Sequence, residues 1–428
     1  MFKTIRNAWS IPDLRKKMLF TILMLVVYRL GSVIPVPGLS AEAMAAFMSQ
    51  DGGMGLFTLL DTFTGGAFSN ATIFAMGITP YINASIIMQL LTVAIPALER
   101  LQKEGEEGRK KINSITRYAT IVLSLIQAIG LYFTLKAYGV VANPSFMSFL
   151  VIAITFTAGT AFVMWLGEQI TEKGVGNGIS LIIFAGIVSR LPQAAMTLYN
   201  QFLGSNISPI NIVWLVLVLI LSIAIVGFVV FMNEAERRIP VQYAKRVVGR
   251  KMYGGQSTNI PIKVAMAGVI PIIFASSIVS FPATIAQFTG GIPQEGFWKG
   301  FFDIMSPGGW LYAVLYFVLI IFFTYFYTAM QFNPVEMSNN IKKNGGFVPG
   351  IRPGKPTSDY IAKVLNRVVL VGALFLAFLA VFPMAFSGII PSMMLGGTSL
   401  LIVEGVALET VKQIESQMLM RHYKGFLD

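Results

Sequence analysis

The 428-residue chain has no cysteine and one histidine, His422. Thiol redox chemistry, Cys/His zinc sites and a haem histidine inside an apolar core are thereby excluded. Charge is scarce as well. Asp, Glu, Lys and Arg supply 12% of residues against 55% apolar, with a mean hydropathy of +0.70. This is the composition of a multi-pass membrane protein. No GxxxxGK[ST] phosphate loop and no catalytic constellation is present, so the chain reads as neither an enzyme nor a motor, and no cofactor or metal is expected. Ionisable groups within apolar runs are fewer still. Arg29 lies near the outer end of the first run, free to snorkel or pair, and Glu404 is the one carboxylate well inside a run (SLLIVEGVAL). Glu404 reads either as an ion or proton site or, preferably, as a group facing a water-filled cytoplasmic vestibule. An ion-coupled secondary transporter, the main rival reading, usually carries several such groups. An intramembrane hydrolase needs a Ser/His or paired-Asp site at depth, which His422 and Asp61 do not provide.

What is abundant is apolar sequence in runs of about 20 residues, the length that crosses a bilayer. They fall near 18–35, 71–96, 115–138, 146–167, 178–203, 211–232, 263–288, 309–330, 364–386 and 390–411. The first, preceded by Lys3, Arg6, Arg15, Lys16 and Lys17, lacks a small-residue cleavage site and reads as a retained span. Alternate loops carry 28 Lys and Arg on one side and three, Lys136, Arg190 and Lys299, on the other. That asymmetry places both termini in the cytoplasm and absorbs much of the net charge of +12. Ten spans in two sets of five, 1–203 and 204–428, start from opposite faces. An inverted repeat with a working site between its halves is therefore possible. Pro271 and Pro282 in one run are expected to bend it around a cavity.

One stretch, 52–91, does not fit a plain bundle. Gly52, Gly53 and Gly55 precede a short apolar piece, Leu56 to Thr64, and Gly65 and Gly66 follow it. About ten helical residues rise ~15 Å, half of a ~30 Å hydrocarbon core. Such a piece persists at membrane depth only where protein or a watery cavity surrounds it. Next, ATIFAMGITPYINASIIMQLLTVAIP is long enough to cross, with Ile78 and Ile82 one turn apart on one face. The first piece reads as a stopper for a pore whose waist the second helps to build.

Uncharged polar side chains are commoner than charged ones in these runs: Thr79, Asn83, Ser85, Gln89 and Thr92, then Ser124 and Gln127, then Ser276, Ser277 and Ser280. Interhelical hydrogen bonds in membranes average only ~0.6 kcal/mol, so together these residues suit a seam that parts. Two cytoplasmic loops, 232–262 and 333–362, are longer than orientation charge requires. Residues 240–248 followed by Gly254 and Gly255 resemble extended chain reversed by a turn, and PGIRPG marks a tight tip. Arg246, Arg250, Lys251 and Arg352 would project from these loops. Cations on stiff protrusions suit an acidic protein or a phosphate backbone. Aromatics there are too sparse for base stacking.

The motifs GITPYINASIIMQLLT (77–92), KEGEEGRKKI (103–112), WLGEQITEKGVGNGISLIIFAGI (165–187), AGVIPIIFASSIVSFPATIA (267–286), NPVEMSNNIKKNGGFVPGIRPG (333–354) and GGTSLLIV (396–403) resemble those of the bacterial SecY family, channel subunits of the Sec translocon, over essentially the whole chain. The resemblance implies an all-α integral membrane protein of ten transmembrane helices, in two inverted five-helix halves around an hourglass pore, with a short re-entrant plug. By motif, the pore ring would be Ile78, Ile82, Ile179, Ile183, Ile273 and Ile402. The plug would lie within about 55–68, with Gly55, Leu56, Phe57, Leu59, Leu60, Phe63, Gly65, Gly66 and Phe68. The lateral gate would carry Asn83, Gln89, Thr92, Gln127, Ser276, Ser277 and Phe281.

The same carry-over makes Arg246, Arg250 and Arg352 a dock for the ribosome, through its RNA backbone, or for the SecA motor ATPase. It further implies SecE-like and SecG-like small subunits, polypeptide substrates bearing signal sequences, contact with membrane lipid, and residence in the bacterial plasma membrane. The function implied is passage of unfolded polypeptide across the membrane and lateral release of its apolar segments into lipid, driven from outside. Residue chemistry agrees, because isoleucine is stiff at χ1 and offers water no hydrogen bond. A narrow ring of it can dewet against ions yet close around a peptide of any sequence.

Overall fold

The structure, a computed structural model, describes residues 2–49, 56–204, 209–243, 246–248, 251–253, 257–282, 296–305, 309–385 and 391–424. In chain order the first part comprises α1 (Phe2–Trp9), α2 (Pro12–Gly31), α3 (Ala41–Ser49), α4 (Leu56–Thr64), α5 (Thr79–Ala94), α6 (Pro96–Lys103), α7 (Glu106–Ala137), α8 (Phe146–Lys173), α9 (Gly178–Leu203) and α10 (Pro209–Glu234). Strands β1 (Glu236–Tyr243), β2 (Arg246–Val248), β3 (Lys251–Tyr253) and β4 (Ser257–Lys263) follow. The rest comprises α11 (Ile270–Val279), α12 (Phe297–Ile304), α13 (Trp310–Gln331), α14 (Pro334–Lys343), β5 (Gly346–Phe347), α15 (Lys355–Ala385) and α16 (Pro391–Lys424).

A helix stands at each of the ten predicted apolar runs, in α2, α5, α7, α8, α9, α10, α11, α13, α15 and α16. Among the described residues six helices are long and apolar enough to cross a membrane outright, or seven if α5 and α6 count as one span bent by 99°. The shortfall has physical causes. The α2 helix carries Asp13, Arg15, Lys16 and Lys17 within its first turns. In two runs the helix starts later than the apolar sequence predicts. Residues 71–78 form turns, so α5 begins only at Thr79, and residues 264–269 form turns before α11 begins at Ile270. Pro80 and Pro271 are the second residues of α5 and α11, where a missing N–H costs nothing. Pro271 therefore starts a helix and does not bend one, contrary to expectation.

The irregular segment between α4 and α5 is enclosed by protein, as membrane depth demands. Its amides bond to the chain after α2: Val36 N–H donates to the Ala71 carbonyl at 2.9 Å and Ile73 N–H to that of Ile34 at 3.0 Å. Gly159 of α8 lets the segment lie directly on the helix, for a Cβ there would stand 2.0 Å from the Ile73 carbonyl oxygen. Phe68, Ala71, Phe74, Ala75 and Met76 are all buried.

The two long loops, 232–262 and 333–362, are joined by one sheet. β1 pairs with β4 antiparallel, with Ile239 opposite Ile260. β5, from the other loop, adds to the far edge of β1 through Gln242 opposite Phe347 and Tyr243 opposite Gly346. Period-2 alternation buries Ile239 and Val241 of β1, with Ile262 of β4, against Ile341 of α14 and Ile361 and Leu365 of α15. β2 pairs with β3 antiparallel, Val248 opposite Lys251. The expected reversal at Gly254 and Gly255 lies outside the described residues.

Candidate functional site

Four helices from separate parts of the chain deliver isoleucines to one cavity. Its empty volume is about 610 Å³, and its walls include Ile82 of α5, Ile183 of α9, Ile273 of α11 and Ile402 of α16. Each arrives on locally fixed backbone. Gly77 takes the left-handed φ of 54° that ends the turn segment before α5. The Asn177 side chain caps α9 by accepting from Ile179 and Ser180 N–H at 3.1 and 3.4 Å, which sets the phase that aims Ile183 inward. Ile78 is buried in the same cluster and Ile179 packs half-buried against it, but neither lines the cavity. All six ring candidates thus belong to one apolar body, and four of them meet across open space.

α4 closes one end of that space. Leu60 and Phe63 line the cavity, while Phe57 turns away and stacks on Phe68 with ring centroids 5.2 Å apart. Leu56 and Leu59 lie within α4, and Gly55 lies outside the described residues. Gly65 and Gly66, at φ 66° and 88°, end the helix. Polar contacts then fix its C-terminal end. Arg29 Nη1 donates to the Gly65 carbonyl at 2.8 Å, and the Tyr28 hydroxyl donates to the Thr64 carbonyl at 3.3 Å. Asp61, its side chain 2% exposed, accepts from Ser69 N–H at 2.8 Å and pairs through its other oxygen with Arg190 Nη1. Sequence reading counted Arg190 among loop charges and gave Asp61 no role. The two are 129 residues apart, and only the fold brings them together.

The polar seam residues behave differently from expectation. Asn83, Ser276, Ser277 and Ser280 do line the cavity, and Gln127 lines a neighbouring one of about 390 Å³ beside Leu60 and Phe68. The described hydroxyl bonds of three of the seam residues are local. Ser276 donates to the Ile273 carbonyl at 2.8 Å, Ser280 to that of Ser276, and Thr92 to that of Gln89 at 2.7 Å. Gln89 Nε2 donates to Ser85 one turn away at 3.3 Å, leaving its buried carbonyl oxygen without a partner. Short hydroxyl side chains satisfy themselves on the i−3 or i−4 carbonyl. Parting α5 from α11 breaks none of these bonds. Phe281 is 50% exposed.

Glu404 is 9% exposed and accepts from Asn233 Nδ2 at 3.1 and 3.4 Å, tying α16 to α10. The expected vestibule-facing carboxylate is thus a helix-to-helix contact. No group of three or more potential metal ligands occurs among the described residues. Of the loop cations, Arg352 is exposed in the tip between β5 and α15, and Arg246 opposes Tyr253 in the β2–β3 hairpin. Arg250 lies outside the described residues.

Comparison with known proteins agrees over the full chain. The SecY family model matches residues 72–411. The protein translocase subunit SecY of Halalkalibacterium halodurans is 50% identical over 437 residues, covering 100% of both chains. A solved structure described as SecY, whose plug domain stabilizes the closed state of the translocation channel and maintains a membrane seal, superposes with a TM-score of 0.67 at 20% identity, over 94% of this chain and 92% of that one. Sec61 in a canine ribosome–channel complex gives 0.61 at 19% identity over 94% and 92%.

Proposed function

The chain belongs to the SecY family, and on that premise we propose that it is a protein-conducting channel that passes unfolded secretory polypeptide across the membrane and releases apolar segments sideways into lipid. The observation that carries this reading is the cavity walled by Ile82, Ile183, Ile273 and Ile402 and closed by Leu60 and Phe63 of α4. Side chains without donors or acceptors make a constriction that water leaves readily and that has no sequence preference for a threaded peptide. Ile78 and Ile179 back the ring from within the same apolar cluster. The halves 1–203 and 204–428 part along α5 and α11, where the hydroxyls are already satisfied and little polar adhesion opposes opening. Asn83, Gln89, Thr92, Gln127, Ser276, Ser277 and Phe281 border that gate, and α4 with Gly65, Gly66 and Phe68 is the plug.

With no phosphate loop of its own, the channel is driven by a partner on the cytoplasmic side. The sheet that fuses loops 232–262 and 333–362 is a rigid platform for such a partner, a ribosome or a SecA-type motor, and Arg246, Arg250 and Arg352 are its cationic contacts. Small SecE-like and SecG-like subunits would lie on the lipid-facing helices, and the chain sits in a bacterial plasma membrane with both termini cytoplasmic. It works as a conduit and not as an enzyme. The transporter alternative has less support, since Glu404, the one carboxylate well inside an apolar run, accepts from Asn233.

Reconstitution in vesicles with a motor or ribosome and a signal-bearing polypeptide tests the reading. Protease-protected polypeptide should accumulate in the lumen only with the chain present. Uptake of a small solute without any polypeptide movement would favour the transporter.

A further inference from the structure

The attachments of α4 are one-sided. Its carboxylate Asp61 pairs with Arg190 of α9, the Gly65 carbonyl accepts from Arg29 of α2, and the Thr64 carbonyl accepts from Tyr28 of α2. The backbones of Gly65 and α9 are in direct contact, since a Cβ on Gly65 would stand 2.8 Å from the Gly186 carbonyl oxygen. All of these groups come from residues 1–203. Across the cavity from α4 the second half presents Ile273, Ser276, Ser277, Ser280 and Ile402. Among the described residues, the ion pair and the hydrogen bonds that hold the C-terminal end of α4 to other helices run to the first half of the molecule.

We propose that Arg190 and Arg29 form a latch that fastens the plug to the first half, so that parting of the two halves and release of the plug are separate steps. This rests on the channel reading and adds to it which residues hold the plug and on which half it rides. Separating the Asp61–Arg190 pair is costly, because the Asp61 carboxylate, its side chain 2% exposed, would be stranded in a poorly solvating site. The cavity that separates α4 from α11 and α16 has no charged residue in its lining, so that side carries no comparable penalty and yields first when the halves move apart. On this account the plug travels with α9 when the gate opens and leaves its seat only when the latch breaks. Arg29 and Arg190 are positioning residues of the closed state and take no part in contacting the ring.

The absence of cysteine permits both steps to be read on the full chain. Gate spacing is followed by crosslinking a pair of cysteines placed at Asn83 and Ser277, on α5 and α11, with a short bis-maleimide. Plug seating is followed by resting ion conductance in planar bilayers. Asp61→Asn, and independently Arg190→Gln, should raise resting conductance about tenfold or more, as expected for removing one partner of a buried pair, and leave gate crosslinking at the wild-type level. The double exchange Asp61→Arg with Arg190→Asp should bring the conductance back toward wild type, which a merely misfolded single variant would not predict. Should a single variant fail to accumulate, Arg29→Gln carries the same test through the Gly65 bond. Unchanged conductance in every variant, or gate crosslinking that shifts together with conductance, overturns the latch. A wild-type chain that moves no polypeptide in the same preparation overturns the channel reading and the latch with it. Wild-type transport with no leak in the variants removes the latch alone.

Discussion

Gly186 of α9 lies directly beneath the carbonyl of Phe63 in α4: a Cβ on Gly186 would stand 2.3 Å from that oxygen. The α4 helix, the proposed plug, is seated where two backbones touch, and any side chain at Gly186 must push it out. Overpacking a close contact costs typically ~1–3 kcal/mol. Gly186→Ala should accordingly raise resting conductance in bilayers. Gly227→Ala in α10, where an added Cβ meets nothing within 4 Å, should leave it unchanged.

The ring makes a graded prediction. Ile82→Ser with Ile183→Ser puts two hydroxyls into the cavity and should increase ion leak through the closed channel. Ile78→Ser, at a position buried outside that space, should leak less while costing more thermal stability, since burying an unpaired hydroxyl costs ~1–3 kcal/mol. Conductance and thermal denaturation of the three proteins side by side provide the check.

A good part of this was legible in the residues. Ten apolar runs mark ten helices, and the short Gly-flanked piece at 56–64 is α4 as read. What could not be read depends on distance along the chain. The Asp61–Arg190 pair and the pairing of Tyr243 with Gly346 join residues more than a hundred positions apart, and no local pattern encodes either. The late start of α5 was missed for another reason. Residues 71–78 are as apolar as a helix, but their amides find partners across the molecule, at Ile34 and within the turn itself, and that outcompetes helical propensity. The partner of a seam serine is not legible locally either, because a hydroxyl in a membrane helix can bond backward to its own carbonyls, as Ser276 does, as readily as across to a neighbour.

Glu404 separates a structural role from an ion-coupling one. Glu404→Gln keeps an acceptor for Asn233 and should retain both stability and polypeptide transport. Glu404→Leu strands the Asn233 amide and should destabilise the α10–α16 contact by ~1 kcal/mol or more. Thermal denaturation in detergent checks the second, and vesicle transport the first.

Arg352 is exposed and outside the bundle, so its charge can be reversed without disturbing packing. Arg352→Glu should slow partner-driven transport severalfold, with the defect deepening at low ionic strength where repulsion is least screened, and should leave the melting temperature unaltered. Transport assays at two salt concentrations measure this.

The central claim is that a polypeptide threads the space between Ile82, Ile183, Ile273 and Ile402. Because the chain contains no cysteine, a single thiol at Ile402 can report contact with a secretory substrate stalled in transit, against a control thiol at Ile220, which is 62% exposed on α10. The account predicts a crosslinked adduct from Ile402→Cys and none from Ile220→Cys. Adducts of equal yield at both positions, or at Ile220 alone, would contradict it.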